Sequence, residues 1–256
     1  MLAVSLLWLA FAGSHIALAA KFLREPLVRK LGERGFLALF ALVASIFFAL
    51  LVYAYAREQH GGPTGPALGA HAVMRPLLAA CIFFGLALMA ASFAPKAYWR
   101  SPFMVLTNSV REPFGLERVT RHPFNTGLVL FAWAHVLLAS HLVGAIFFGG
   151  FLLLAVAGAT HQGVKLRRRR GDAYTRFLRE TSAVPFLAVL QGRQRLALAE
   201  IPWLWLALGL GIAVVLWLLH DRIFVFDGAL VSATVVLGSV LIGIRGLAVS
   251  SKSDLK

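Results

Sequence analysis

The chain has 256 residues, of which 59% are hydrophobic and only 14% charged. A soluble domain carries about a quarter charged residues and roughly 45–50% apolar ones, and soluble monomers rarely expose the apolar area this composition would leave outside. The soluble classes are therefore excluded, and the single cysteine, Cys81, excludes an internal disulfide, a CxxC redox pair and a cysteine zinc site.

A membrane span needs about 20 mostly apolar residues, because the hydrocarbon core is ~30 Å thick and a helix rises ~1.5 Å per residue. In chain order the stretches that meet this length are residues 2–20, 36–56, 76–95, 123–164, 201–220 and 223–244. The fourth is long enough for two passes, and the polar pair Ser140-His141 near its middle predicts the tip of a helical hairpin. The expectation is an all-α polytopic membrane protein with about seven transmembrane helices. The short alternating segments of a membrane barrel are absent from the sequence.

Net charge is +14, from 25 Lys and Arg against 11 Asp and Glu. Five of the basic residues lie between the first two spans (Lys21 to Arg34) and five between the third and fourth (Lys96 to Arg121). Nine follow the hairpin (Lys165 to Arg195) and three lie in the tail, so 22 of the 25 fall on one side of the predicted membrane. By the positive-inside rule the amino terminus is outside and the carboxyl terminus cytoplasmic. Ala17-Leu18-Ala19 is like a signal-peptidase site, but no basic residue precedes the apolar run, and cleavage would leave the Lys21–Arg34 cluster outside. Arg167–Arg170 directly follows a span and reads as a solvated, lipid-facing anchor rather than a nucleic-acid patch. The expected partners are membrane lipid and no nucleic acid; oligomeric state is not legible.

Ionisable residues within a bilayer are costly and are functional candidates by default. Of eight histidines, His60, His71, His141 and His220 fall at predicted outer ends or loops. His15 lies within the first span beside Ala12, Gly13, Ser14 and Ala19. His135 is the deepest, ~18 Å along a helix that starts near Pro123. Gly127, Phe131 and His135 follow at four-residue steps on one face. A glycine two turns from an imidazole leaves room for a flat ligand, or equally for a close helix contact. His122 precedes Pro123 at a helix start, where Arg118 and Arg121 suit an anion such as a headgroup or cofactor propionate. His161, on the same side, is a candidate for the same site or for a second ligand position. No carboxylate pair lies mid-membrane, so a Ser-His-Asp triad has no acid member, and the set suits imidazole ligation of haem better than zinc hydrolysis.

The run Arg118-Val119-Thr120-Arg121-His122-Pro123, continuing to Phe131-Ala132-Trp133-Ala134-His135, resembles the NnrU domain family. Arg169-Arg170-Gly171-Asp172-Ala173-Tyr174, Thr181-Ser182-Ala183-Val184-Pro185-Phe186 and Gly192-Arg193-Gln194 resemble it as well. So do Ser14-His15 and Leu31-Gly32-Glu33-Arg34-Gly35-Phe36. The similarity covers residues 1–197, read as a five-helix haem-binding membrane domain, with 198–256 a two-helix membrane extension like that of the longer bacterial members. This implies the bacterial inner membrane.

The family includes the zeta-carotene isomerases, and the resemblance implies haem b, with metal ligands at the positions of His15 and His135. It also implies a functional role for His122. The cysteine that the isomerase branch has one turn before the second histidine is Ala132 here. The implied activity is haem-dependent cis–trans isomerisation of a carotenoid-like polyene, with catalytic residues His15, His135 and His122. The set Arg118, Arg121, Gly127, Phe131 and His161 joins the two ligands around the cofactor. The alternative within the family is an accessory role in nitrite and nitric oxide reduction, or electron transfer. A third reading rests on Arg121-His122-Pro123-Phe124-Asn125-Thr126-Gly127, similar to membrane methyltransferases that use S-adenosylmethionine. Their paired glutamates are replaced by His161-Gln162, which removes the carboxylate base.

Overall fold

The structure is a computed structural model, and it describes residues 1–94, 110, 112–238 and 240, the side chains of 161, 162, 165 and 169 excepted. Helix α1, Leu2–Ala19, turns through Ala20 into α2, Lys21–Glu58. Ala20 alone leaves the helical region, with φ −68° and ψ 138°, so the chain reverses within one residue. Helices α3, Met74–Ala91, α4, Pro123–Leu138, and α5, Leu142–Glu180, follow. A single turn, α6 (Leu187–Leu190), precedes α7, Trp203–Leu218, and a short apolar helix Ala229–Gly238. Among the described residues there is no strand, only an isolated bridge from Thr64 to His141.

Four of these helices are long and apolar enough to cross a membrane: α1, α2, α3 and the Leu142–Thr160 portion of α5. No more than 28% of any of their apolar windows is buried within the protein. Leu2, Leu9 and Leu153, each at least 70% exposed, lie on those faces. Apolar surface on this scale is stable against lipid tails and not against water. α4 and α7 have 16 residues each and reach about 24 Å, short of a full hydrocarbon core.

The expected hairpin is where α4 ends and α5 begins. The loop between α2 and α3 braces its tip: the Gly65 and Ala67 amides donate to the Ser140 and Ala139 carbonyls, and the Leu142 amide to Pro63. The two longest helices run past any bilayer, α2 for 38 residues and α5 for 39. Their overhangs are the basic segments from Lys21 and from Lys165, which the sequence reading left as connections. Each overhang bends at a glycine in the left-handed region of φ, Gly32 (71°) and Gly171 (52°), which a side chain would strain. The basic connection before Glu112 and the tail after Val240 lie outside the described residues, so the last expected span is seen only as Ala229–Gly238.

The helices pack in two manners. α1, α2 and α5 bury large rings: Trp8, Phe11, Phe48, Tyr55 and Phe147, with Val4, Leu51, Val52 and Val143. α3 packs on α4 and α7 through small residues. A Cβ on Gly127 would stand 2.4 Å from the Gly85 carbonyl oxygen, and one on Gly209 would stand 2.6 Å from the Ala87 Cα. Here backbones touch, which is how membrane helices gain dispersion energy when lipid offers no hydrophobic drive.

Candidate functional site

Within α1 and α4 the same local device occurs twice. His15 Nδ1 lies 2.8 Å from the Phe11 carbonyl, and His135 Nδ1 lies 2.8 Å from the Phe131 carbonyl. A carbonyl only accepts, so in each neutral ring Nδ1 donates its proton and Nε2 keeps its lone pair. The phenylalanine one turn earlier also packs on the imidazole, with ring centroids 4.4 Å apart for Phe11 and His15 and 4.3 Å for Phe131 and His135. This follows from helix geometry, which stacks side chains four residues apart on one face. Phe40 of α2 closes on His15 edge-on at 5.0 Å, and Phe148 of α5 stacks on His135 at 4.3 Å. Anchored at Nδ1, open at Nε2 and walled by apolar rings, each imidazole has the donor chemistry of a metal ligand.

The two rings do not meet. Between them runs a continuous aromatic string: Phe11 to Trp8 at 5.6 Å, Trp8 to Phe151 at 4.8 Å, Phe151 to Phe147 at 5.3 Å and Phe147 to Phe148 at 5.1 Å. Phe48 meets Phe151 and Tyr55 meets Phe147, so α2 runs antiparallel to α5 as well as to α1, and α1 and α5 are parallel. Trp8 Nε1 donates to the Phe147 carbonyl at 3.1 Å. His15 is seven residues past Trp8, which lies over Gly150, whereas His135 stacks on Phe148, so the two imidazoles stand at different levels along the bundle. As single donors the residues fit an iron; they stand on different helices, linked by this string of rings. Among the described residues no group of three or more His, Cys, Asp or Glu is placed to hold a metal.

Gly127 resolves to the second of its two readings. The space beside it is filled by the Gly85 backbone and by Met89, so it serves a helix contact and leaves no slot for a flat ligand. Phe131 does reach the histidine, as its carbonyl partner and its ring neighbour.

Three of the motifs that resemble the family, at residues 118–123, 181–186 and 192–194, converge at the other end of α4. The Arg121 amide donates to the Ser182 carbonyl at 2.6 Å and the Phe186 amide to the Val119 carbonyl at 2.8 Å, which ties residues 119–121 to 182–186. Thr120, fully buried, donates through its hydroxyl to the Ala183 carbonyl and shares a hydrogen bond with Thr126. Arg121 donates to Thr181 Oγ1 and to the Leu178 and Thr181 carbonyls, satisfying the last carbonyls of α5. Burial pushes its guanidinium pKa down. Arg118 forms a fork with both Glu200 oxygens, at 2.8 and 3.0 Å, and donates to Gln194.

The anion that these arginines were expected to attract is thus supplied by the chain: Glu200 for Arg118, helix-end carbonyls for Arg121. The Arg118 fork and the Gly115 amide hold the Glu200 carboxyl down to about 2 and raise the arginine in turn. His122 is the N-cap residue of α4, half-buried, with Pro123 in the first turn as expected. His161 falls on α5, but its side chain lies outside the described residues. Sequence reasoning missed Glu200, Gly85 and Phe148, none of which carries a local motif; the Phe-x-x-x-His spacing at Phe11 and His15 was the one available signal left unused.

The family model described as "NnrU protein" matches residues 3–227. The chain is 29% identical over 195 residues to 15-cis-zeta-carotene isomerase, chloroplastic, of Arabidopsis thaliana, an alignment covering 75% of this chain and 51% of the relative. It is 34% identical over 82 residues to the protein of the same name from Zea mays, covering 32% and 22%. The chain thus spans about half the length, or less, of these curated relatives. No solved structure matches.

Proposed function

We propose, from the premise that this chain belongs to the NnrU family, that it is a haem-b-binding integral membrane protein that isomerises a lipid-soluble polyene between cis and trans. The observation that carries this reading is the similarity to 15-cis-zeta-carotene isomerase across three quarters of the chain. The proposal includes seven crossings with the amino terminus outside and the carboxyl terminus cytoplasmic, in a bacterial inner membrane. It divides the chain into a five-helix domain over 1–197 and a two-helix extension over 198–256.

His15 and His135 are the donors we assign to iron, each through Nε2. When bound, haem supplies a redox-active iron able to take a further ligand. The Phe11 and Phe131 carbonyls hold each imidazole in the tautomer with Nε2 free. The aromatic walls keep water from the site, and the exposed apolar faces of α1 and α5 let a bilayer-dissolved substrate approach without entering water. The Arg121 clamp on the end of α5 and the Arg118–Glu200 fork set the position of the turn that starts α4, and with it the depth of His135. His122, at that start, acts as a positioning residue in this reading.

The test is direct. Protein purified in detergent is assayed as its pyridine haemochromogen and then, reduced with dithionite, given 15-cis-zeta-carotene while product geometry is followed by chromatography. Haem b bound together with loss of the 15-cis isomer supports the proposal, and both should fail in His15→Ala, His135→Ala double-variant protein that still folds by circular dichroism. Haem without isomerisation would leave the accessory or electron-transfer role as the better reading; neither haem nor isomerisation overturns the proposal outright.

A further inference from the structure

We infer that residues 184–203, the stretch that leads through α6 into α7, form an interfacial platform that docks into the headgroup boundary of an anionic lipid leaflet and supplies the apolar thickness that α4 and α7 lack. This rests on the reading of α4 and α7 as membrane crossings. With 16 residues each, they fall short of the hydrocarbon core by about 6 Å. A short crossing thins the bilayer or leaves a mismatch unless neighbouring apolar surface makes up the length. Their far ends are polar, Ser140-His141 after α4 and His220-Asp221-Arg222 after α7, so the missing length is not found there. Their near ends start side by side, because the Arg118–Glu200 fork joins the turn before α4 to the turn before α7.

At these near ends the apolar surface continues on a loop. Leu190 is 81% exposed and Phe186 47%, and Val184, Leu196, Leu198 and Trp203 are exposed with them. The Phe186 amide, bonded to the Val119 carbonyl, helps hold this residue in the left-handed region at φ 62°, which a β-carbon disfavours. Inner packing does not offset that strain, since the ring is left half exposed; burial in lipid does. Loop backbone enters an apolar medium only where the protein itself satisfies its polar groups. The amides of Phe186, Leu187 and every residue from Leu190 to Gln194 donate to carbonyls of the chain, and Pro185 and Pro202 have no N–H to satisfy. Trp203 opens α7 with its Nε1 donating to the Leu198 carbonyl at 3.0 Å and its ring outward, the residue type that collects at membrane interfaces. Charge selects the lipid. Arg195 on the platform is exposed, and so is Arg179 at its edge, whose carbonyl accepts from Arg193. The one acid from 181 to 203, Glu200, is bound by Arg118, so the charge left to face a headgroup is positive.

Nitroxides on single cysteines in a Cys81→Ser background read depth, through the ratio of collision rates with oxygen, which dissolves in lipid, and with a nickel chelate, which stays in water. Full-length protein in nanodiscs of equal parts phosphatidylcholine and phosphatidylglycerol carries the label at Phe186→Cys, Leu190→Cys or Leu198→Cys. Leu210→Cys, on α7, is the lipid standard, and Asp172→Cys, on the exposed overhang of α5, is the water standard. The expected ratio at residues 186, 190 and 198 is several-fold above that at 172 and approaches that at 210. Ratios at 186 and 190 equal to that at 172, with 210 in lipid, overturn the platform while leaving the crossings in place. A label in water at 210 overturns the crossing of α7 and this inference with it. In protein carrying both Arg179→Gln and Arg195→Gln, the label at 190 should shift toward the water standard in the anionic nanodiscs and stay in place in phosphatidylcholine alone. No shift, or the same shift in both lipids, overturns the choice of an anionic leaflet.

Discussion

The two halves of the molecule solve the same packing problem in opposite ways. α1, α2 and α5 interlock large rings, and the Trp8 indole lies over Gly150. α3, α4 and α7 bring backbones into contact through Gly85, Gly127 and Gly209. Rings can shift or exchange rotamers at modest cost, whereas a carbonyl facing a glycine has nowhere to go. The histidine on each side differs accordingly. His15 belongs wholly to the ringed half. His135 sits on a helix held by backbone contact two turns earlier, at Gly127, so its depth is set rigidly while its ring rests on the more adaptable Phe148.

Breaking the ringed half at its centre should have the largest effect. Trp8→Ala removes the indole that α1 sends into α5 and orphans no carbonyl beyond Phe147; a loss of about 4 kcal/mol is expected for so large a buried ring. Unfolding by sodium dodecyl sulfate titration from mild detergent measures it. In the other half Gly127→Leu should cost about 3 kcal/mol, because α3 and α4 must separate to admit the side chain. Gly158→Leu, which meets nothing within 4 Å, is its control and should leave the midpoint nearly unchanged.

A finer probe is Gly150→Ala, expected to cost about 2 kcal/mol alone through its clash with Trp8. Paired with Trp8→Leu, the double variant should be more stable than the sum of the singles, and strict additivity would show that the two residues do not share the contact. The smallest effect is electrostatic and lies where the start of α7 meets the turn that leads into α4. Glu200 is held at about 2 against an ordinary 4.5, so its pairing stabilises fully above the ordinary value and fades as pH falls toward 2. Wild-type thermal midpoints should therefore drop across that window, and Glu200→Gln should flatten this part of the pH profile.

The apolar runs located most of the helices because burial in lipid demands length, and length is visible in one dimension. The hairpin at Ser140-His141 was legible for the same reason: two polar residues interrupt an otherwise unbroken run. The overhangs were not. Charged residues such as Lys165 to Arg170 are good helix formers, and nothing in hydropathy distinguishes a helix leaving the membrane from a loop. In the site, the candidate histidines were visible as costly residues in apolar spans. Their neighbours were not, since Phe148 reaches His135 and Glu200 reaches Arg118 only through the packing of helices distant in sequence. Gly127 shows the limit most clearly. Its spacing from His135 was plain, but which of a ligand or a helix would fill the space beside it depended on Gly85, 42 residues earlier.

The Arg121 clamp also bears on how the chain is assembled. Its donor stands just before the α4–α5 hairpin and its acceptors just after it, so the two ends of the hairpin are tied together. The tie cannot form until residue 181 has been synthesised. Until then the hairpin is free to retreat; afterwards, withdrawing either helix means breaking the knot first. A contact that looks like a detail of one helix terminus thus acts as a latch on the hairpin, closing only when both helices are complete.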